Sequence, residues 1–143
     1  MQAGVQPVVH LIADAGFDNY NTTINVSQKM ATEKKDVVQR FVNASLEGWA
    51  EYMKGGAASE AANAAIRRDN PDMTDDKIAY AVKVMNEKGI VKSGDALKLG
   101  IGAMTDERWK RFYETMTAAG AFPAGVDYKK AYSLEFVNKG VGA

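Results

Sequence analysis

The sequence predicts an α/β fold that is predominantly helical, with about two short strands, on three observations. Apolar residues recur at spacings of three and four along most of the chain after residue 27, the signature of helices that bury one face. Two short stretches near the start, VQPVVHLIA and TTINV, are instead rich in β-branched residues. Serine, threonine and aspartate stand where the periodic segments begin, and glycine or proline where they end.

Residues 8 to 13 read as a buried strand, with Pro7 just ahead of them, where a strand tolerates proline best. DAGFDNYN follows as a turn-rich connection, and residues 22 to 26 read as a second strand through Thr23, Ile24 and Val26. Ser27 is placed to cap a short helix over residues 28 to 34. The next segment spaces Val38, Phe41, Val42, Leu46, Trp49, Tyr52 and Met53 into one apolar stripe, sets Asp36 and Arg40 on the opposite face, and stops at Gly55-Gly56. An alanine-rich helix over residues 57 to 68 ends at DNP, because proline disfavours helix at the residue before it. TDDKIAYAVKVMNEKG repeats the pattern, with Thr74 as cap, Asp75 and Asp76 in the first turn, Ile78, Ala81, Val82 and Met85 facing inward, and Gly89 at the stop. The glycine-containing stretch IVKSGDALKLGIGAM reads as a long connection. TDERWKRFYETMTAAG has Thr105 as cap, Trp109, Phe112, Tyr113 and Met116 as its buried stripe, and Gly120 at its end. A last helix is expected after Asp127, burying residues such as Tyr128, Ala131, Tyr132, Leu134 or Phe136.

Composition narrows the function. The 143 residues suffice for one core without metal or disulfide staples, and 46% hydrophobic with 25% charged residues argues against disorder. Eighteen basic residues against eighteen acidic ones leave no basic face, so nucleic acid is not an expected partner. The absence of cysteine removes disulfides, thiolate catalysis and cysteine metal sites. VVHLIA is too short to span a membrane and has no charged region ahead of it, so no export signal is expected in this chain.

Tyr20 stands out as a candidate ligand contact, because a tyrosine at the edge of a cleft can stack on or hydrogen-bond to a small molecule; the alternative is a tyrosine that packs its own connecting segment. Asn19, Asn21 and Thr22 could donate to an anionic or amide group, and turn chemistry explains the asparagines equally well. His10 is the only histidine and stands inside an apolar run, which favours a structural role over a base or a metal ligand. Asp69, Asp72, Asp75 and Asp76 lack the alternation and the glycine of a calcium loop, and capping accounts for the last two. Gly100 and Gly102 form only G-x-G, too little for a dinucleotide fingerprint, and no nucleophile elbow or acid/base pair is present. No metal and no cofactor is expected.

Four stretches taken together, GFDNYNTTINVSQKMATEKKDVVQRFVNASLEGWAEYM, NPDMTDDK, GIGAMTDERWKRFYETMTAAGAF and DYKKAYSLEFV, resemble the C-terminal half of periplasmic solute-binding proteins of ABC importers. The resemblance is to the branch that handles taurine, sulfonates, nitrate and thiamine-type pyrimidines. It implies a type II periplasmic binding fold, with residues 1 to 18 as the last strand of the second lobe and the start of the hinge, and residues 19 to 143 as the C-terminal part of the first lobe. It further implies a non-catalytic protein of the periplasm that captures a small organic solute or anion for a permease, with Tyr20, Asn21, Thr22 and Asn19 at the hinge and cleft. The N-terminal half of that family, with most of its sheet and ligand contacts, has no counterpart here. The expectation is therefore a fragment, or a chain that pairs with a second copy as a homodimer. Two rivals stand beside it: a helical module that self-associates without a ligand, and a pyrimidine-forming enzyme relative, which the missing cysteines and single histidine disfavour.

Overall fold

Helices Gln28–Glu33 (α1), Lys35–Lys54 (α2), Ala57–Asp69 (α3), Asp75–Glu87 (α4), Ala96–Leu99 (α5) and Asp106–Ala118 (α6) carry the fold, with 3-10 turns at Ile12–Ala15 and Tyr128–Ala131. The computed structural model describes Gly4, Val8 and residues 10–142, and among these no residue belongs to a strand. The expected α/β fold, and with it the type II periplasmic binding fold, is thereby corrected: the described residues are helical and contain no sheet.

Both expected strands fail for identifiable reasons. Of residues 8 to 13, Val9 lies outside the described residues, and Ile12 and Ala13 enter a 3-10 turn that Gly16 closes in the left-handed conformation at φ 90°. Residues 22 to 26 form neither strand nor helix, and Ile24 and Val26 are exposed. A β-branched pattern creates the preference for extended backbone, but a strand exists only where a neighbour completes the ladder, and a short apolar run does not by itself distinguish strand from helix.

The chain divides into two compact units, Met1–Thr23 with Thr105–Ser133 and Ile24–Met104 with Leu134–Ala143. In the second, which we call the aliphatic unit, α2 packs on both α1 and α3. Ser27 caps α1 as expected, its Oγ accepting from the Met30 N–H at 3.2 Å. The inner face of α2 buries Val38, Val42 and Leu46, and Ile101 and Phe136 complete the cluster. The stripe is narrower than its spacing predicts, since Phe41 and Trp49 are 60% and 45% exposed. Gly55 and Gly56 turn the chain at φ 81° and 78°, and the Tyr52 hydroxyl donates to Asn63 Oδ1 at 2.8 Å, fixing α3 beside α2. Thr74 occupies the N-cap position of α4, but its hydroxyl donates to the Asp76 carboxylate and caps no backbone N–H.

The C-terminal segment returns to this unit through backbone chemistry. Asn138 holds a left-handed φ of 62°, tolerable for asparagine, and its amide brackets Met104, accepting from the N–H at 3.1 Å and donating to the carbonyl at 2.7 Å. The Gly140 N–H donates to the Leu99 carbonyl at 3.2 Å, and a side chain at Gly100 would lie 2.7 Å from the Val141 carbonyl oxygen. Here the glycine is required by close approach of two backbones.

The first unit, the aromatic unit, is built on α6. Thr105 caps it, accepting from the Arg108 N–H at 3.4 Å. Asp127 makes no such cap, and a single 3-10 turn replaces the expected last helix. Among the described residues, no helix is long and apolar enough to cross a membrane.

Candidate functional site

The helical period places Trp109, Phe112, Tyr113 and Met116 along one side of α6, and other rings of the unit settle against them. Trp109 stacks on Tyr132 with ring centroids 4.9 Å apart and planes 3° from parallel, and Tyr113 stacks on Tyr128 at 5.5 Å. Phe112 lies between Phe17 and Phe122 in two edge-to-face contacts of 5.7 and 5.8 Å. Such pairs contribute roughly 0.5–1.5 kcal/mol each beyond the area they bury.

Tyr20 is half-buried in this aromatic unit. Its ring lies 5.3 Å from that of Trp109, its hydroxyl accepts from the Thr105 N–H at 2.7 Å, and the Arg108 guanidinium carbon sits 4.4 Å from the ring centroid. Asn19 contributes its backbone carbonyl, which accepts from Arg108 Nη2 at 2.9 Å. Asn21 and Thr22 are exposed. Of the four residues singled out in the sequence, Tyr20 and Asn19 thus anchor their segment to α6, while Asn21 and Thr22 face outward. His10 is exposed, and no group of three or more metal-binding side chains occurs among the described residues.

A cleft of about 160 Å³ opens beside this anchor, lined by Gly16, Phe17, Asp18, Arg111, Phe112 and Glu114 with Thr115. Asp18 pairs with both Arg108 at 2.5 Å and Arg111 at 3.1 Å, and Arg111 reaches Glu107 at 3.0 Å. The cleft therefore offers one aromatic wall, Phe17 edge-to-face with Phe112, and a rim of paired charge, an arrangement that suits a ring with polar substituents. Sequence reasoning missed it. Phe17 and Asp18 lie within the stretch that drew attention, but Asp18 and Arg111 are 93 positions apart and no local pattern joins them.

On the same unit, Asp106 accepts hydrogen bonds from the Tyr132 and Tyr128 hydroxyls, with Lys129 Nζ 3.7 Å away. The Tyr132 hydrogen bond, aided by Lys129, holds the Asp106 carboxyl below its usual range. Burial and the neighbouring carboxylate push both phenols upward, Tyr132 the further of the two.

No family model matches the chain, and no solved structure matches it. Among curated proteins it is similar to the riboflavin-binding protein RibY of Chloroflexus aurantiacus, with 29% identity over 138 residues. The match covers 96% of this chain and 38% of the relative, so the chain spans well under half the length of the protein it resembles. This finding corrects the expected taurine, sulfonate, nitrate or thiamine-pyrimidine branch: the relative is described by riboflavin, and no sheet among the described residues supports the two-lobed family.

Proposed function

We propose that this chain takes part, without catalysis, in binding a small planar heteroaromatic molecule of the riboflavin class, and that the aromatic unit presents the contact surface. The observation that carries the reading is the similarity to a riboflavin-binding protein over nearly the whole of this chain. The cleft supports it in kind and in size. An apolar cavity of about 150 Å³ accommodates one benzene ring. The 160 Å³ cleft therefore takes one ring of a fused system against the wall that Phe17 and Phe112 form together. The rest of such a molecule extends past the rim, where Arg111 donates to ring carbonyls and Asp18 and Glu114 accept from hydroxyls. Asn21 and Thr22, exposed on the same segment, add an amide and a hydroxyl for the polyol chain. Full-sized ligand sites span about 300–1,000 Å³, so these residues form one wall of a site rather than an enclosed one.

Delivery to an importer's permease is not part of this proposal, since it depends on the two-lobed fold that the described residues do not form. The test is titration of riboflavin with the chain, followed by flavin fluorescence. Contact with the aromatic wall quenches the emission; Phe17→Ala and Arg111→Ala each weaken the effect, while Phe41→Ala leaves it unchanged. Quenching that ignores Phe17 and Arg111 would reject the site.

A second reading, a helical module that self-associates, is favoured by one observation: α2 leaves Val37, Phe41 and Trp49 at 38%, 60% and 45% exposure. Molar mass in solution decides it. A dimer that Phe41→Glu converts to monomer supports association through α2, and a monomer at high concentration dismisses it.

A further inference from the structure

The aliphatic unit holds a cleft of its own, of about 220 Å³, where the C-terminal ends of α2 and α4 meet the segment after α4. Met53, Met85, Val91 and Ile101 supply its apolar lining, and Lys54 and Lys92 stand in the same wall. Val91 packs against the buried cluster that includes Ile101, so the lining is continuous with the core.

The charges around it are one-sided. No aspartate or glutamate is among the described residues lining the cleft. Lys54 is neutralised by Glu51 at 2.6 Å, whereas Lys92 forms no ion pair with a described residue. The ends of α2 and α4 bring partial negative charge from their last carbonyls, but that effect fades within one turn. A net preference for an anionic group beside Lys92 remains. Both methionines are unbranched and polarizable, so they shape themselves to a flexible chain better than branched residues do.

We propose that this cleft binds a small monocarboxylate with an apolar tail, the tail lying on Met53, Met85 and Ile101 and the carboxylate facing Lys92. Scaled from a cavity of about 150 Å³ that holds the six carbons of benzene, the space accepts about eight or nine non-hydrogen atoms, the size of hexanoate. The proposal is independent of the riboflavin reading, which concerns the other unit, and each can fail alone.

Hexanoate, titrated at low salt into the full chain labelled with nitrogen-15, tests it. The expected result is a saturable shift of the Gly89, Lys92 and Gly142 amides. Hexylamine, with the same tail and the opposite charge, should bind several-fold more weakly. Lys92→Ala, a substitution at an exposed position, should weaken hexanoate by about two- to fivefold, the range of an exposed charge pair. Met85→Trp, which fills the cleft, should abolish the response while the remaining spectrum stays native. Absence of saturation at any of the three amides, equal binding of hexylamine, or indifference to Lys92→Ala would each overturn the proposal.

Discussion

In the aliphatic unit the side chains closed off from water are Val38, Val42, Leu46, Ile78, Ala96, Ile101, Ala103 and Phe136; in the aromatic unit no described side chain is buried to the same degree. There the rings stack while partly wet, and hydroxyls and guanidinium groups tie them together: Tyr20 to Thr105, Tyr132 and Tyr128 to Asp106, Arg108 to Asn19 and Asp18. One unit is held by non-directional burial, which tolerates salt and pH. The other depends on oriented polar bonds between half-exposed groups, whose strength varies with protonation. The second kind of construction leaves aromatic faces and paired charges within reach of a ligand.

The largest effects of substitution are expected in the aliphatic unit. Leu46→Ala should cost about 3 kcal/mol, within the usual 2–5 for a core leucine, read as a lower denaturant midpoint at unchanged slope. Gly100→Ala should cost about 2 kcal/mol, because a methyl group must displace the Val141 carbonyl and hold a φ of 94°. Equal tolerance of alanine at Gly100 and at exposed Gly48 would show that the two backbones are not packed as described.

In the aromatic unit the effects should be smaller and depend on pH. Asp106 has its folded pKa lowered, so the stability it contributes is present above its ordinary value of 3.8 and disappears as pH falls through the lowered value. Tyr128 and Tyr132 have raised folded values, so theirs is full below 10.0 and lost as pH rises through the raised values. Asp106→Asn should flatten the acid limb of the stability profile, and Tyr132→Phe should flatten the alkaline limb. Both are read from thermal midpoints across pH; unchanged limbs would remove the carboxylate–phenol network from the account. Smallest of all, Arg40→Ala breaks an exposed pair with Asp36 and should change stability by no more than about 0.5 kcal/mol.

Much of the helical content was legible in the sequence because its signals are local. The Ser27 and Thr105 caps, the Gly55-Gly56 break and the Asn70-Pro71 stop lie next to the elements they bound. The two strands were misread because residues 22 to 26 state only a preference, and pairing requires a neighbour that no local pattern supplies. Phe41 and Trp49 fit the apolar period of α2 yet remain exposed, since the period says where a face lies and not how far a partner covers it. Tyr20 was visible as an aromatic in a polar run; its partners Thr105 and Arg108 were not, being 85 and more residues away.

The most direct measurement is a riboflavin titration of the nitrogen-15-labelled chain, followed residue by residue. The account predicts saturable shifts at the amides of Phe17, Asp18, Asn21, Arg111 and Phe112, with those of Val38, Val42 and Leu46 unmoved. Shifts confined to the aliphatic unit, or no saturable shift at all in a folded sample, would contradict the assignment of ligand contact to the aromatic unit.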